Sequence, residues 1–216
     1  MGFTGIFTTD HLTHRIRQSL QGPLPGLEAQ RLMAPSFRPP GRIRFRESNS
    51  RPSAVMILLF PCSDGLGTVF IHRSRWGPHG GQISLPGGRQ EPADANLEET
   101  AYRETREEIG INTESVRTLG MLTPLYVPYS NYRIQPVVTF TDTEPEFVPD
   151  SREVESVVRV PLLELFHPDN RKSMFIRKLG IRIGAPCYDA GGHCVWGATA
   201  MIMSEFEVLF ISCISG

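Results

Sequence analysis

Glu104, Glu107 and Glu108, with Arg103 immediately before them, are the residues of this chain whose types and spacing are best suited to chemistry. At i, i+3 and i+4 they share one side of any helix that carries them, where like charges repel by roughly 0.2–0.5 kcal/mol per pair. A position toward the helix C-terminus adds a macrodipole that disfavours anions. Local stability therefore argues against the cluster, and a bound cation is the simplest offset. Carboxylate oxygens are hard ligands of the kind taken by Mg²⁺ or Mn²⁺, which keep several waters and bind substrate phosphates as well.

A helix must hold these acids. Asp94 is the predicted N-cap, Glu98 and Glu99 suit the first turns, and Gly110 is the predicted stop. At about 100° per residue, Leu97, Ala101, Thr105 and Ile109 form the buried arc, and the three glutamates lie on an adjoining arc at its rim. Ahead of the helix, Gln82–Leu85 runs into the turn Pro86-Gly87-Gly88. No GxGxxG or GxxxxGK[ST] follows a strand anywhere in the chain.

The run Arg103-Glu104-Thr105-Arg106-Glu107-Glu108-Ile109-Gly110-Ile111 resembles the REUxEExGU ending of the Nudix box, the signature of the Nudix hydrolases. Gly88 and Asp94 fit the opening of that box, but eight residues separate Asp94 from Arg103 where the standard pattern has seven. The longer spacing, with Arg73-Ser74 and His79-Gly80-Gly81-Gln82-Ile83-Ser84-Leu85-Pro86-Gly87-Gly88 upstream, resembles the coenzyme A pyrophosphatase branch and its HxGQxxFPGG signature. The match covers Arg73 to Ile111. It departs in a segment between Arg73 and Gly81 that is one residue short, and in Gly77-Pro78 near the usual place of a basic residue.

That resemblance implies an α/β fold, an α/β/α sandwich with a mixed β-sheet, and water attack on the P–O–P bridge of a nucleoside diphosphate linked to another group. It implies metal ligands at Glu104, Glu107 and Glu108, and catalytic roles for Arg103, Glu104 and Glu107. Arg73, Gly87 and Gly88 are the expected substrate-binding residues, with His79, Gln82 and Tyr126 as further candidates. The general base varies within the family. Glu144, Glu146, Glu153 and Glu155 are the later acids that can supply it, with Glu153 the named candidate. The expected substrate is coenzyme A or an acyl derivative. ADP-ribose, NADH, dinucleoside polyphosphates or a non-catalytic nucleotide sensor are the alternatives.

The rest of the chain bounds this reading. Its 216 residues allow a full core, and a net charge of -1 suggests no nucleic-acid or anionic-membrane partner. Cys62, Cys187, Cys194 and Cys213 show no short metal-binding spacing and read as reduced thiols in a cytoplasmic protein. No apolar run is expected to span a bilayer. Residues 1–41 read as a helix over His11–Leu20 followed by a Pro/Gly-rich connector, an arm that packs on the main domain, 42–216, or on the second subunit of a homodimer.

Within 42–216, Arg42–Arg46 alternates like a strand, either a phosphate clamp or a solvated face. Ala54–Phe60 and Thr68–His72 predict a buried hairpin, and Val116–Pro124 and Arg133–Phe140 predict strands around a loop, Leu125–Tyr132, whose three tyrosines can stack an adenine or pack at the rim. Further expectations are a strand at Glu153–Val160, a short helix from Pro161, a strand pair at Phe175–Ile183 and a helix at Thr199–Phe210. His193 reads as structural.

Overall fold

A computed structural model describes residues 8–36, 49–76, 80–178 and 181–215. The Arg42–Arg46 row and His79 lie outside the described residues.

The first helix, α1 (Thr9–Leu20), starts earlier than expected because Thr8, rather than Thr9-Asp10, caps it by accepting from the His11 N–H. Leu12, Ile16 and Leu20 form its buried stripe. The segment expected to be only a connector contains a short second helix, α2 (Gly26–Arg31). Tertiary contacts support it where local sequence does not: the Gly26 N–H donates to the buried Glu205 carboxylate at 3.1 Å.

β1 (Arg51–Cys62) is the spine of the main sheet. Along one edge it runs parallel to β7 (Tyr132–Phe140), from Arg51 opposite Tyr132 to Leu59 opposite Phe140. The other edge is shared. Leu59–Cys62 pairs antiparallel with β2 (Gly65–Arg73), and Ser53–Val55 pairs antiparallel with β4 (Gly87–Arg89). β2 and β4 thus leave the same edge in turn, and the sheet opens between them. β3 (Ile83–Ser84) pairs with the far end of β2, β5 (Arg117–Met121) extends β7, and β8 (Val154–Pro161) covers the outer edge of β2. The expected loop at Leu125–Tyr132 is shorter than predicted, because β6 (Leu125–Val127) folds back on β7 as a hairpin with Asn131 at φ 56°.

Side chains of β1 alternate between two cores, as the period of two requires. Ala54, Met56, Leu58 and Phe60 meet Ala101 and Ile109 of α3 (Leu97–Ile109) on one face. Ile57 and Leu59 join α1 and α5 (Gly197–Ser215) on the other. Each of the larger buried side chains among them contributes roughly 1.5–3 kcal/mol. The result is the expected α/β/α sandwich around a mixed sheet.

Two expectations are corrected here. α5 is longer than Thr199–Phe210, and by length and composition it could cross a membrane. Yet more than half of it is buried within the fold, and it carries Glu205 and Glu207, both buried and both hydrogen-bonded. It is the core helix under the sheet. The second correction concerns Cys187 and Cys194, which form a disulfide instead of remaining thiols. They flank the turn between β10 (Ile181–Ala190) and β11 (His193–Trp196), antiparallel neighbours in a small sheet with β9 (Arg171–Lys178). Pairing of the strands brings the Cα atoms to 5.8 Å, within bridging range. After β8, α4 (Leu162–Leu165) is the short helix expected from Pro161.

Candidate active site

The site lies where the sheet opens. β4 presents Gly87 and Gly88 against β1, and α3 crosses that opening with its glutamates. Asn96, not Asp94, caps α3, accepting from the Glu99 N–H at 2.9 Å while Glu99 accepts in return from the Ala95 N–H. Gly110 ends the helix at φ 66°, the left-handed conformation that glycine tolerates best. The expected buried arc is present at Ala101, Thr105 and Ile109, and Glu108 is buried beside it at 2% exposure.

Asp94 is released from capping for another task. Arg103 Nε donates to Asp94 Oδ1 at 2.9 Å and Nη2 to Oδ2 at 3.0 Å. Nη2 also donates to the Arg89 carbonyl, and Nη1 to Glu104 Oε1 and Glu107 Oε2, each at 2.9 Å. All five guanidinium N–H donors are therefore engaged. Asp94 also accepts from the Glu91 N–H and the Thr100 hydroxyl. Its hydrogen bonds from Arg103 hold the carboxyl well below the usual carboxylate range.

Glu108 is held by other partners. Its Oε2 accepts from the Gly87 N–H at 2.8 Å, and its Oε1 from Arg73 Nη1 at 3.1 Å. Burial nevertheless dominates and pushes its pKa up to about 7, with Glu104 and Glu153 adding to the rise. Burial also raises Glu104, despite the Arg103 hydrogen bond. Space requires the glycine at Gly87, and at Gly88 a larger residue would have to displace a side chain of the site. At Gly87 (φ 144°) a Cβ would strike the backbone of Ala54 and Val55, and at Gly88 it would strike the Glu104 carboxyl.

Of the four later acids, Glu153 is the one whose charge acts on both Glu104 and Glu108. Its segment is brought there by backbone bonds from Val148 to Ile109 and from Asp150 to Glu108, and by the Ser74 N–H, which donates to the Glu153 carbonyl. Glu144 is taken by Arg159, and Glu155 stands 3.9 Å from His72. Gln82 accepts the Arg73 N–H through its carbonyl, which places it beside the site by backbone. Tyr126 donates to Asn131 within its own hairpin.

The donor set suits a hard divalent cation, and two carboxyls made unfavourable by burial would be relieved by one. Glu104 and Glu107 share an arginine, however, while Glu108 is held by Arg73 and Gly87. Among the described residues no three acidic, histidine or cysteine side chains are arranged to hold a metal ion. The expected ligands occupy one neighbourhood without converging in this conformation.

Two features escaped sequence reasoning. The Asp94–Arg103 fork was hidden because Asp94 and Asn96 are both good caps, and helical position alone does not choose between them. Ser74 was legible only as part of the Arg73-Ser74 signature, and its task, a buried hydroxyl bonded to the Arg152 carbonyl, was not.

Residues 50–178 match the NUDIX domain model. The chain is 32% identical over 169 residues to the human mitochondrial coenzyme A diphosphatase NUDT8, covering 76% of this chain and 71% of that protein. It is 31% identical over 159 residues to the uncharacterized Nudix hydrolase NudL of Yersinia enterocolitica, covering 72% and 80%. A MutT/nudix family protein of Enterococcus faecalis, of known crystal structure, aligns with a TM-score of 0.47 at 15% identity, over 93% of this chain and 73% of that one.

Proposed function

The chain belongs to the Nudix hydrolase family, and we propose that it cleaves the pyrophosphate of coenzyme A or an acyl-coenzyme A, giving 3′,5′-ADP and a 4′-phosphopantetheine product. The observation that carries this reading is the contact of Arg73 with Glu108 at 3.1 Å. Through it, the upstream Arg-Ser segment that resembles the coenzyme A branch is joined directly to the buried acid of the box. The identity to a protein named a coenzyme A diphosphatase supports the same substrate.

Nudix hydrolases need divalent metal ions, and here Glu104, Glu107 and Glu108 would hold Mg²⁺ or Mn²⁺. Such an ion polarises phosphoryl oxygens and lowers the pKa of the attacking water. Arg103, anchored on Asp94, positions Glu104 and Glu107. The Gly87-Gly88 backbone lets phosphates approach closely. Arg73 orients Glu108 and adds positive charge beside the substrate. Glu153 takes the proton as water adds to one phosphorus, and the bridging oxygen leaves with the other phosphoryl group. The P–O bond broken and the P–O bond formed balance with one water consumed.

Coenzyme A, ADP-ribose, NADH and diadenosine polyphosphates, each assayed with Mg²⁺ and with Mn²⁺, test the substrate. Faster turnover of ADP-ribose than of coenzyme A would overturn the substrate reading. Undiminished hydrolysis by both Glu107→Gln and Glu108→Gln would overturn the ligand roles.

A further inference from the structure

Glu153 is exposed and stands one residue before β8, so neither burial nor the strand ladder fixes it. Its backbone is nevertheless tied on both sides. The Glu153 N–H donates to the Asp150 carbonyl at 3.0 Å, and the Glu153 carbonyl accepts from the Ser74 N–H at 2.8 Å.

Asp150 gathers these ties. Its N–H donates to the Glu108 carbonyl at 3.0 Å, next to the Val148 N–H, which donates to the Ile109 carbonyl at 2.8 Å. Both take carbonyls that a helix end leaves without partners. The crossing is close, since a Cβ on Gly110 would stand 2.5 Å from the Val148 carbonyl oxygen. The Asp150 carbonyl then accepts from the N–H groups of Glu153 and Val154, the second at 2.8 Å. Its carboxylate shapes the turn between: Oδ1 accepts from the Arg152 N–H at 3.0 Å, and both oxygens accept from Arg152 Nε at 3.0 and 3.1 Å. An aspartate bonded to the backbone two residues on is how this side chain closes a turn. One residue thus joins the backbone of Glu108 to the turn that carries Glu153.

The start of β8 agrees with this. His72 lies opposite Ser156 but Arg73 opposite Val154, so Glu155 is the extra residue of a bulge. Val154 and Val157, three apart, consequently face the same core under α3. The bulge seats Val154, and the Asp150 turn seats the residue before it. Arg152 is 86% exposed, and an ion pair so exposed contributes little to stability. The carboxylate therefore matters for the direction of the turn more than for the fold.

We propose that Asp150 is a positioning residue, whose carboxylate sets the turn that holds Glu153 against the Glu104 and Glu108 end of α3. This rests on the reading of Glu153 as the group that takes the proton from water.

The test has two arms. In steady-state hydrolysis, Asp150→Ala should lower kcat about 10-fold or more and leave KM within about twofold, because a displaced base slows the chemical step without loosening the substrate. Asp150→Asn keeps an oxygen for the Arg152 N–H and should restore most of the rate. In a Glu153→Gln background, Asp150→Ala should cost less than about twofold, since a residue acting through Glu153 has nothing left to position. Wild-type kcat in Asp150→Ala, losses that multiply in the double variant, or wild-type rates in Glu153→Gln overturn the proposal. The second arm needs no substrate. Asp150→Ala should speed hydrogen exchange at the Glu153 and Val154 amides about 10-fold or more, with the amides of Ala101–Ile109 unchanged. Unchanged exchange at Glu153 and Val154 also overturns it. A wild type that hydrolyses no nucleotide sinks the pyrophosphatase reading alone, because the exchange arm decides whether Asp150 holds the turn.

Discussion

Arg103 and Asp94 meet fork to fork, with Nε and Nη2 of one on the two carboxylate oxygens of the other at 2.9 and 3.0 Å. The pair spans the extra residue that sets this box apart from the standard one. It also fixes the third guanidinium nitrogen between Glu104 and Glu107.

Arg103→Lys keeps the charge and loses the fork, since an ammonium cannot form two parallel bonds to one carboxylate. Activity should fall about 10- to 100-fold, as for loss of an outer-shell partner of a metal site. Asp94→Asn should fall similarly. Steady-state rates at saturating Mg²⁺ measure this, and wild-type rates in either variant would remove the positioning role.

Gly87→Ala and Gly88→Ala should fail differently. The first meets backbone at a positive φ, where an alanine is strained, so it should destabilise by about 1–3 kcal/mol. The second meets the movable Glu104 carboxyl, so hydrolysis should drop more than stability. Denaturant unfolding beside kcat/KM separates the two; equal stability losses would contradict the geometry.

Glu108 should make the metal-free protein pH-dependent. Its folded pKa, about 7, is above the ordinary 4.5, so the folded state holds the proton more tightly. This contribution is complete below pH 4.5 and is lost as pH rises to about 7, on the order of 3 kcal/mol. Divalent-metal affinity should rise through the same window, because a ligand carboxyl must lose its proton. Unfolding free energies with chelator at several pH values test the slope, which Glu108→Gln should flatten.

Glu205 ties the arm to the core. Its carboxylate accepts from the Gly26 and Thr123 N–H groups and from Gln30 Nε2. Glu205→Ala leaves the Gly26 and Thr123 N–H groups without an acceptor, while Gln30 Nε2 keeps only the Thr123 carbonyl, and it should cost about 3 kcal/mol or more. Hydrogen exchange over residues 9–31 should then accelerate before the sheet does. Exchange unchanged in α2 would show that the carboxylate does not hold it.

The Cys187–Cys194 disulfide closes a short loop, and its removal should cost about 2–3 kcal/mol. Thermal unfolding of Cys194→Ser, and of wild type with a dithiol reductant, should shift together. A shift in neither would mean that strand pairing alone sustains the hairpin.

Local pattern carried much of this protein. The apolar run around Ala54–Phe60, the glycine turn and the spacing of Glu104, Glu107 and Glu108 were enough for a buried strand, a box helix and the Nudix resemblance, because strand and helix periods are properties of neighbouring residues. Long-range pairing was not legible in this way. Whether Asp94 caps a helix or anchors Arg103 depends on Asn96 taking the cap. Whether Glu153 rather than Glu144 or Glu155 acts on the acid cluster depends on backbone bonds from Ser74 and Asp150. Cys187 and Cys194 pair because β10 and β11 run antiparallel, and α5 is a core helix because the sheet and the arm cover it. Each is a choice among partners that are distant in the chain or equal in type, and only the packed fold sets their distances and burial.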